Sequence, residues 1–277
     1  MSKSFQDIRT AFSEATNGAN ETVDLLGAAL AIARIAFPDI ETVFYSGELE
    51  QFSSSIRQQV DQSMSDEELI NLVNIELFQK QGFRGNKEDY YNPENSYLNR
   101  VLDRRLGIPL TLSLIYMEVA ERIGLKCEGI GFPSHFLVRC GGESSGVYVD
   151  VFNEGQLIAR PTLDFWLEEQ GFFGSAGEPM LAAITRRQII QRMLVNLRLA
   201  LRRIDDFDHW LLATELQLVL EPWSSALFLE RGMVHFSRKS FKNSYEDLSR
   251  YIELEAVNPD KDVLRIIEVL KKYHNGQ

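Results

Sequence analysis

The chain has 277 residues, 44% hydrophobic and 25% charged, a globular composition with room for two domains of ordinary size or one large one. Its formal net charge of -11 argues against whole-protein attraction to nucleic acid or an anionic membrane, which requires a basic surface. Cys127 and Cys140 are too few for a disulfide framework and lack zinc or redox spacing, and four histidines without an HxxxH or His/Cys cluster give no reason to expect a metal or another cofactor.

The N-terminal stretch MSKSFQDIRTAFSEATNG has no apolar core of signal-peptide length. The apolar run LLGAALAIARIAF is interrupted by Arg34 and closed by Pro38, too short to span a bilayer, so a cytoplasmic location is expected. Residues 22–37 have apolar positions at helical spacing and stop at Phe37-Pro38, because proline cannot continue a helix. A second helix is expected over residues 49–64. Ser65 followed three residues later by Glu68 is a capping-box pattern, opening an amphipathic helix that runs to Gly82.

Residues 82–97, GFRGNKEDYYNPENSY, have the chemistry of an ordered loop, rich in Gly, Asn, Asp and aromatics. Two readings stay open for Asp89, Tyr90, Tyr91, Asn92, Asn95 and Ser96: they line a recognition groove, or they tie the loop to itself. Residues 97–106 read as a helix, Gly107 turns the chain, and Pro109 fits a first helical position, where a missing N–H costs nothing. That helix runs through IYMEVAERI to Gly124.

From Lys126 the texture changes to KCEGIGF, HFLVRC, GVYVDVF and QLIAR, short segments parted by Gly, Pro, Ser and Asn. They read as three or four antiparallel strands, with GGESSG as a hairpin connection, and helices followed by strands make an α+β domain. GFFGSAGEP, residues 171–179, is the best boundary, and beyond it the pattern is all helical. Phe207 against Phe241 and Leu218 against Ile252 recur near thirty-four residues, the tetratricopeptide period, although Pro222 and Pro259 break it. A plain helical bundle is the competing reading. Arg187, Arg198 and Arg202 share one helix face opposite Ile189, Met193, Leu197 and Leu201, the pattern of a solvated face or of internal ion pairs.

His135 opens HFLVRC directly after Pro133-Ser134, with Asp150 in the next strand. Adjacent antiparallel strands can set that carboxylate beside the imidazole, fixing its tautomer, while a structural histidine bonded to a backbone carbonyl is the competing reading.

NPENSYLNRVLDRRLGIPLTLSLIYMEVAERIGL, GFPSHFLVR and YVDVFNEG together resemble the SirB-like branch of the transglutaminase-like superfamily, and the helical tail resembles the tetratricopeptide region that often follows it. The resemblance implies a papain-like α+β core in which a cysteine at the start of the central helix faces a histidine and an aspartate on neighbouring strands. By similarity His135 and Asp150 take the last two places. In catalytic members the cysteine lies about fifteen positions before the glycine that ends its helix, where the helix N-terminus favours the thiolate. Counting back from Gly124 lands on Pro109, which has no nucleophilic group. Neither cysteine belongs at that helix start, and the hydroxyls of Thr111 and Ser113 are weak stand-ins because such groups tend to bond back to their own helix.

The sequence therefore predicts a transglutaminase-like α+β domain over residues 1–175, helical over 20–82 with its core over 92–165, and a tetratricopeptide-like helical domain over 176–277. It predicts a non-catalytic protein- or peptide-binding adaptor whose partner docks on the helical domain, with no membrane or nucleic-acid partner. An amide- or ester-cleaving hydrolase built on His135 and Asp150, with Thr111, Ser113 or water as nucleophile, is the alternative.

Overall fold

A computed structural model describes residues 3–141, 146–255 and 260–274. The N-terminal half is built from α1 (Lys3–Thr16), α2 (Leu25–Ala33), α3 (Thr42–Arg57) and α4 (Asp66–Asn74), the last continuing as a π-helical turn over Ile75–Lys80. The Ser65 hydroxyl accepts from the Glu68 N–H while the Glu68 carboxylate accepts from the Ser65 N–H, completing the capping box. In α1 the buried face is Phe5, Ile8 and Phe12, and in α3 it is Tyr45, Leu49, Phe52 and Ile56, both at helical spacing.

The central element is α6 (Pro109–Arg122), buried at every residue from Pro109 to Ala120. Pro109 stands at its first position and Gly124, with φ of 85°, closes it in the left-handed region. The helix α5 (Leu98–Arg104) precedes it, and the short strands β1 (Arg84–Gly85) and β2 (Leu106–Gly107) pair in parallel beside its start.

Against α6 lies an antiparallel sheet in the order β3 (Cys127–Ile130), β4 (Leu137–Cys140), β5 (Val147–Asp150) and β6 (Gln156–Ile158). Four residues of the expected GGESSG hairpin, 142–145, lie outside the described residues, as does Pro259. Helix α7 (Arg160–Glu169) then packs beside the sheet over Phe132, Leu137 and Ile158.

The two cysteines face each other in register across β3 and β4 with Cα atoms 4.2 Å apart, and their sulfurs are bonded. Gly141 N–H donates to Lys126 O, so the neighbouring Cys127/Cys140 pair is of the non-hydrogen-bonded type, in which side chains stand closest. Two cysteines too few for a disulfide framework thus still form one bridge. Spacing alone does not reveal register, and register brings the sulfurs together.

The C-terminal part is helical throughout its described residues: α8 (Arg186–Arg203), α9 (Phe207–Leu220), α10 (Ser225–Ser237), α11 (Phe241–Leu254) and α12 (Lys261–His274). Phe207 and Phe241 open α9 and α11, so the near-thirty-four-residue recurrence marks equivalent helix starts. Between α10 and α11 the backbones approach closely at Gly232, where an added Cβ would stand 2.7 Å from Leu248. The Ser244 hydroxyl donates to Gly232 O there.

One apolar core joins Phe5, Ile8 and Phe12 of α1 and most of α2 and α6 to Ile189, Met193 and Leu197 of α8 and Trp210 of α9. Its members lie on both sides of the 171–179 stretch in the sequence. A smaller cluster of Leu248, Tyr251, Val263, Ile267 and Leu270 holds α10, α11 and α12 together. No described helix is long and apolar enough to cross a membrane.

Candidate functional site

His135 lies on a tight turn just ahead of β4, whose first residue is Leu137. Its N–H donates to Phe132 O, and Ser134 before it adopts a left-handed φ of 58°, a conformation uncommon outside glycine and frequent at functional sites. Asp150 ends β5 and acts as N-cap of the 3-10 turn Val151–Asn153. The adjacency expected from the two strands is present: His135 Nε2 lies 3.0 Å from Asp150 Oδ2.

Asp150 is buried, and its other contacts hold it in place. Oδ1 accepts from the backbone N–H groups of Phe152 and Asn153, and Oδ2 accepts from the Asn153 side-chain amide. Burial alone would raise this carboxyl, but the adjacent His135 and the Asn153 donors outweigh it and hold the group below the usual carboxylate value. His135 O is fixed from the other side by the Arg192 guanidinium of α8, at 3.1 Å.

The pair opens on a cleft of ≈ 370 Å³ lined by Phe132, Trp166, Asn153, Glu169 and Gln170 together with the turn Pro133–His135. Trp166 and Glu169 come from α7, and the Phe132 and Trp166 rings meet edge to face at 6.1 Å. No residue of α6 lines it. On the opposite side, the Phe152 ring packs against the imidazole at 6.3 Å and against Tyr90 at 5.9 Å. That close packing needs Gly85, where a Cβ would fall 2.5 Å from the Phe152 ring and 2.7 Å from its carbonyl oxygen. Gly85 went unmarked in the sequence because its neighbour is sixty-odd positions distant, a separation no local pattern reports.

The first turn of α6 lines no part of this cleft. Pro109 is buried and carries no nucleophilic group. The Thr111 hydroxyl donates to Asn95 O at 2.8 Å and accepts from the Ile108 N–H at 3.2 Å, so it is spent on capping the helix and anchoring the loop. Ser113 is fully buried, and its hydroxyl has no hydrogen-bond partner among the described residues, His135 included. Cys127 and Cys140 are occupied by each other. Among the described residues no group of three or more His, Cys, Asp or Glu side chains is arranged to hold a metal ion.

The expected recognition loop divides into framework and surface. Asn95 and Ser96 are buried, in keeping for these two with the reading in which the loop is tied to itself and not with an open groove. The Asn95 side chain donates to Asp89 O and Tyr90 O and accepts from the Asn86 amide, satisfying the turn from inside. Asn92 caps Pro93–Asn95 and donates to the Asp89 carboxylate. Tyr90 and Tyr91 remain exposed. The arginine face of α8 divides as well: Arg187 donates to Thr16 O, and Arg198 turns inward over the Trp210 ring to meet Gln217 and Glu230, leaving Arg202 in solvent.

A family model described as "Transglutaminase-like superfamily" matches residues 44–195, a span that holds α6, the sheet, His135, Asp150 and the start of α8. The chain belongs to this superfamily. It is similar to a UPF0162 protein of Xylella fastidiosa (strain Temecula1), 32% identical over 254 residues that cover 89% of each chain. It is also similar to Protein SirB1 of Salmonella typhimurium, 23% identical over 82% of this chain and 85% of that one. F-box only protein 21 of Mus musculus is 30% identical over 61% of this chain but only 28% of its own length. The matched span of this SirB-like transglutaminase-like chain thus carries the His135/Asp150 pair, together with a helix α6 that starts on proline.

Proposed function

We propose that this chain is a non-catalytic transglutaminase-like protein acting in the cytoplasm as a protein- or peptide-binding regulatory adaptor. The carrying observation is the separation of the His135/Asp150 pair from the start of α6: the cleft they open on receives no residue from α6, and the Thr111 hydroxyl is consumed at the helix start. A cleft with two aromatic rings, two carboxylates, two side-chain amides and an imidazole suits recognition of a side chain. The helical C-terminal part supplies a second surface, and its near-thirty-four-residue recurrence supports a tetratricopeptide-like stack. The Cys127–Cys140 bond sits less easily with a reducing compartment and makes the location itself part of the proposal.

The hydrolase reading keeps one observation in its favour, since His135 is partly open to solvent while Asp150 orients it, so water could be activated there. Turnover of a panel of activated esters, thioesters and amides decides between the two readings. The adaptor account expects no rate above buffer for the intact chain and none changed by His135→Ala. Turnover that disappears in His135→Ala while the variant keeps its unfolding midpoint would overturn it.

A further inference from the structure

Along α8, Arg192, Val195, Leu199 and Arg202 recur at helical spacing and form one stripe, on which Leu199 is 57% exposed. Beside it the Arg203 guanidinium stacks 3.5 Å above the Tyr91 ring, which is itself 53% exposed. Tyr91 meets Tyr90 at 5.2 Å, and Tyr90 leads through Phe152 to His135, whose carbonyl holds Arg192. The stripe and the loop are therefore one continuous surface, straddling the seam between the α+β core and the helical array.

Acidic residues outnumber basic ones, 40 to 29, and arginines elsewhere such as Arg100, Arg122, Arg160 and Arg231 are paired with carboxylates. Yet Arg192, Arg202 and Arg203 make no ion pair with a carboxylate among the described residues, and nearby Asp206 is taken by His209. Exposed tyrosines, arginines and aliphatic side chains side by side are the composition of an interface centre, not of ordinary solvated surface.

We infer that the seam formed by Tyr90, Tyr91, Val195, Leu199, Arg202 and Arg203 docks a protein segment that carries bulky apolar side chains interspersed with aspartate or glutamate. The unpaired guanidinium groups call for carboxylates, and Leu199 and Val195 call for apolar partners. A nucleic acid would satisfy the arginines but leave the aliphatic stripe in water, and it would approach against the net charge of -11. The inference rests on the adaptor reading and names the chemistry of its partner. The two fail separately, because a His135-dependent turnover would sink the adaptor reading without touching the seam.

The test uses the full chain and three labelled probes followed by fluorescence anisotropy: a peptide alternating leucine pairs with glutamate pairs, its lysine-for-glutamate counterpart, and oligothymidylate. The acidic peptide should bind about tenfold or more tighter than either other probe and weaken as salt rises. The double variant R202E/R203E should lose that binding about tenfold and gain affinity for the lysine peptide, a gain that misfolding cannot produce. Leu199→Ser should weaken the acidic peptide with an unchanged unfolding midpoint. Equal binding of both peptides, preference for oligothymidylate, or variants that leave the acidic peptide unaffected would each overturn the inference.

Discussion

Trp210→Ala is expected to destabilise the whole molecule by about 3–5 kcal/mol, and not only the helical tail that contains it. The ring is among the largest fully buried side chains, lies on α9 against α1, and supports the Arg198 guanidinium 4.8 Å from its centre. Removing it leaves a cavity and takes the floor from beneath a buried cation whose partners are Gln217 and Glu230. Because α1, α2, α6, α8 and α9 share one core, amide-exchange protection should fall together in α1, α2 and α9. Protection lost in α9 to α12 alone, with α1 and α2 unchanged, would show that the helical array unfolds independently.

The second large effect is at Asp150. Asp150→Ala removes a buried carboxylate and strands the N–H groups of Phe152 and Asn153, at an expected cost of about 3 kcal/mol at neutral pH. Asp150→Asn, which keeps an acceptor for the turn, should cost less. The folded-state value of this carboxyl is depressed, so its stabilisation is fully present above the ordinary carboxylate value of about 3.9 and is lost as pH falls through the lower folded value. Denaturant midpoints of the intact chain and Asp150→Ala should therefore converge as the solution is acidified below that ordinary value. A difference that stays constant down to the acid transition would mean that Asp150 contributes no proton-linked stability.

The helix α6 was legible because both ends carry local signals, a proline at the first position and a glycine with positive φ beyond the last. The capping box at Ser65 was legible for the same reason. By contrast, the second expected helix, 49–64, begins earlier in the structure, at Thr42, and ends at Arg57. Its first turns read TVFYSG with Val43 and Phe44 in solvent, so the pattern shows no apolar face until Tyr45 and Leu49 pack inward. The helix α1 lies in the N-terminal stretch that lacks a long apolar run, and its stripe of Phe5, Ile8 and Phe12 gains its meaning only from α2 and α9 as partners.

At the site, the order of strands allowed Asp150 beside His135 without deciding it, and the two lie 3.0 Å apart. What the sequence could not express is three-dimensional pairing: Cys127 with Cys140 by register, Gly85 with Phe152 by close approach, and Asn95 with Thr111 as the tie that removes a hydroxyl from chemistry. Each joins residues whose separation no period of two or of 3.6 encodes.

The central claim is that the start of α6 holds no nucleophile for the His135/Asp150 pair, and acyl transfer measured by intact mass tests it most directly. After incubation with an activated ester or thioester at neutral pH, the folded chain should gain no acyl mass on Thr111 or Ser113. A stoichiometric acyl adduct on either residue, formed by the intact chain and absent from His135→Ala, would contradict the account.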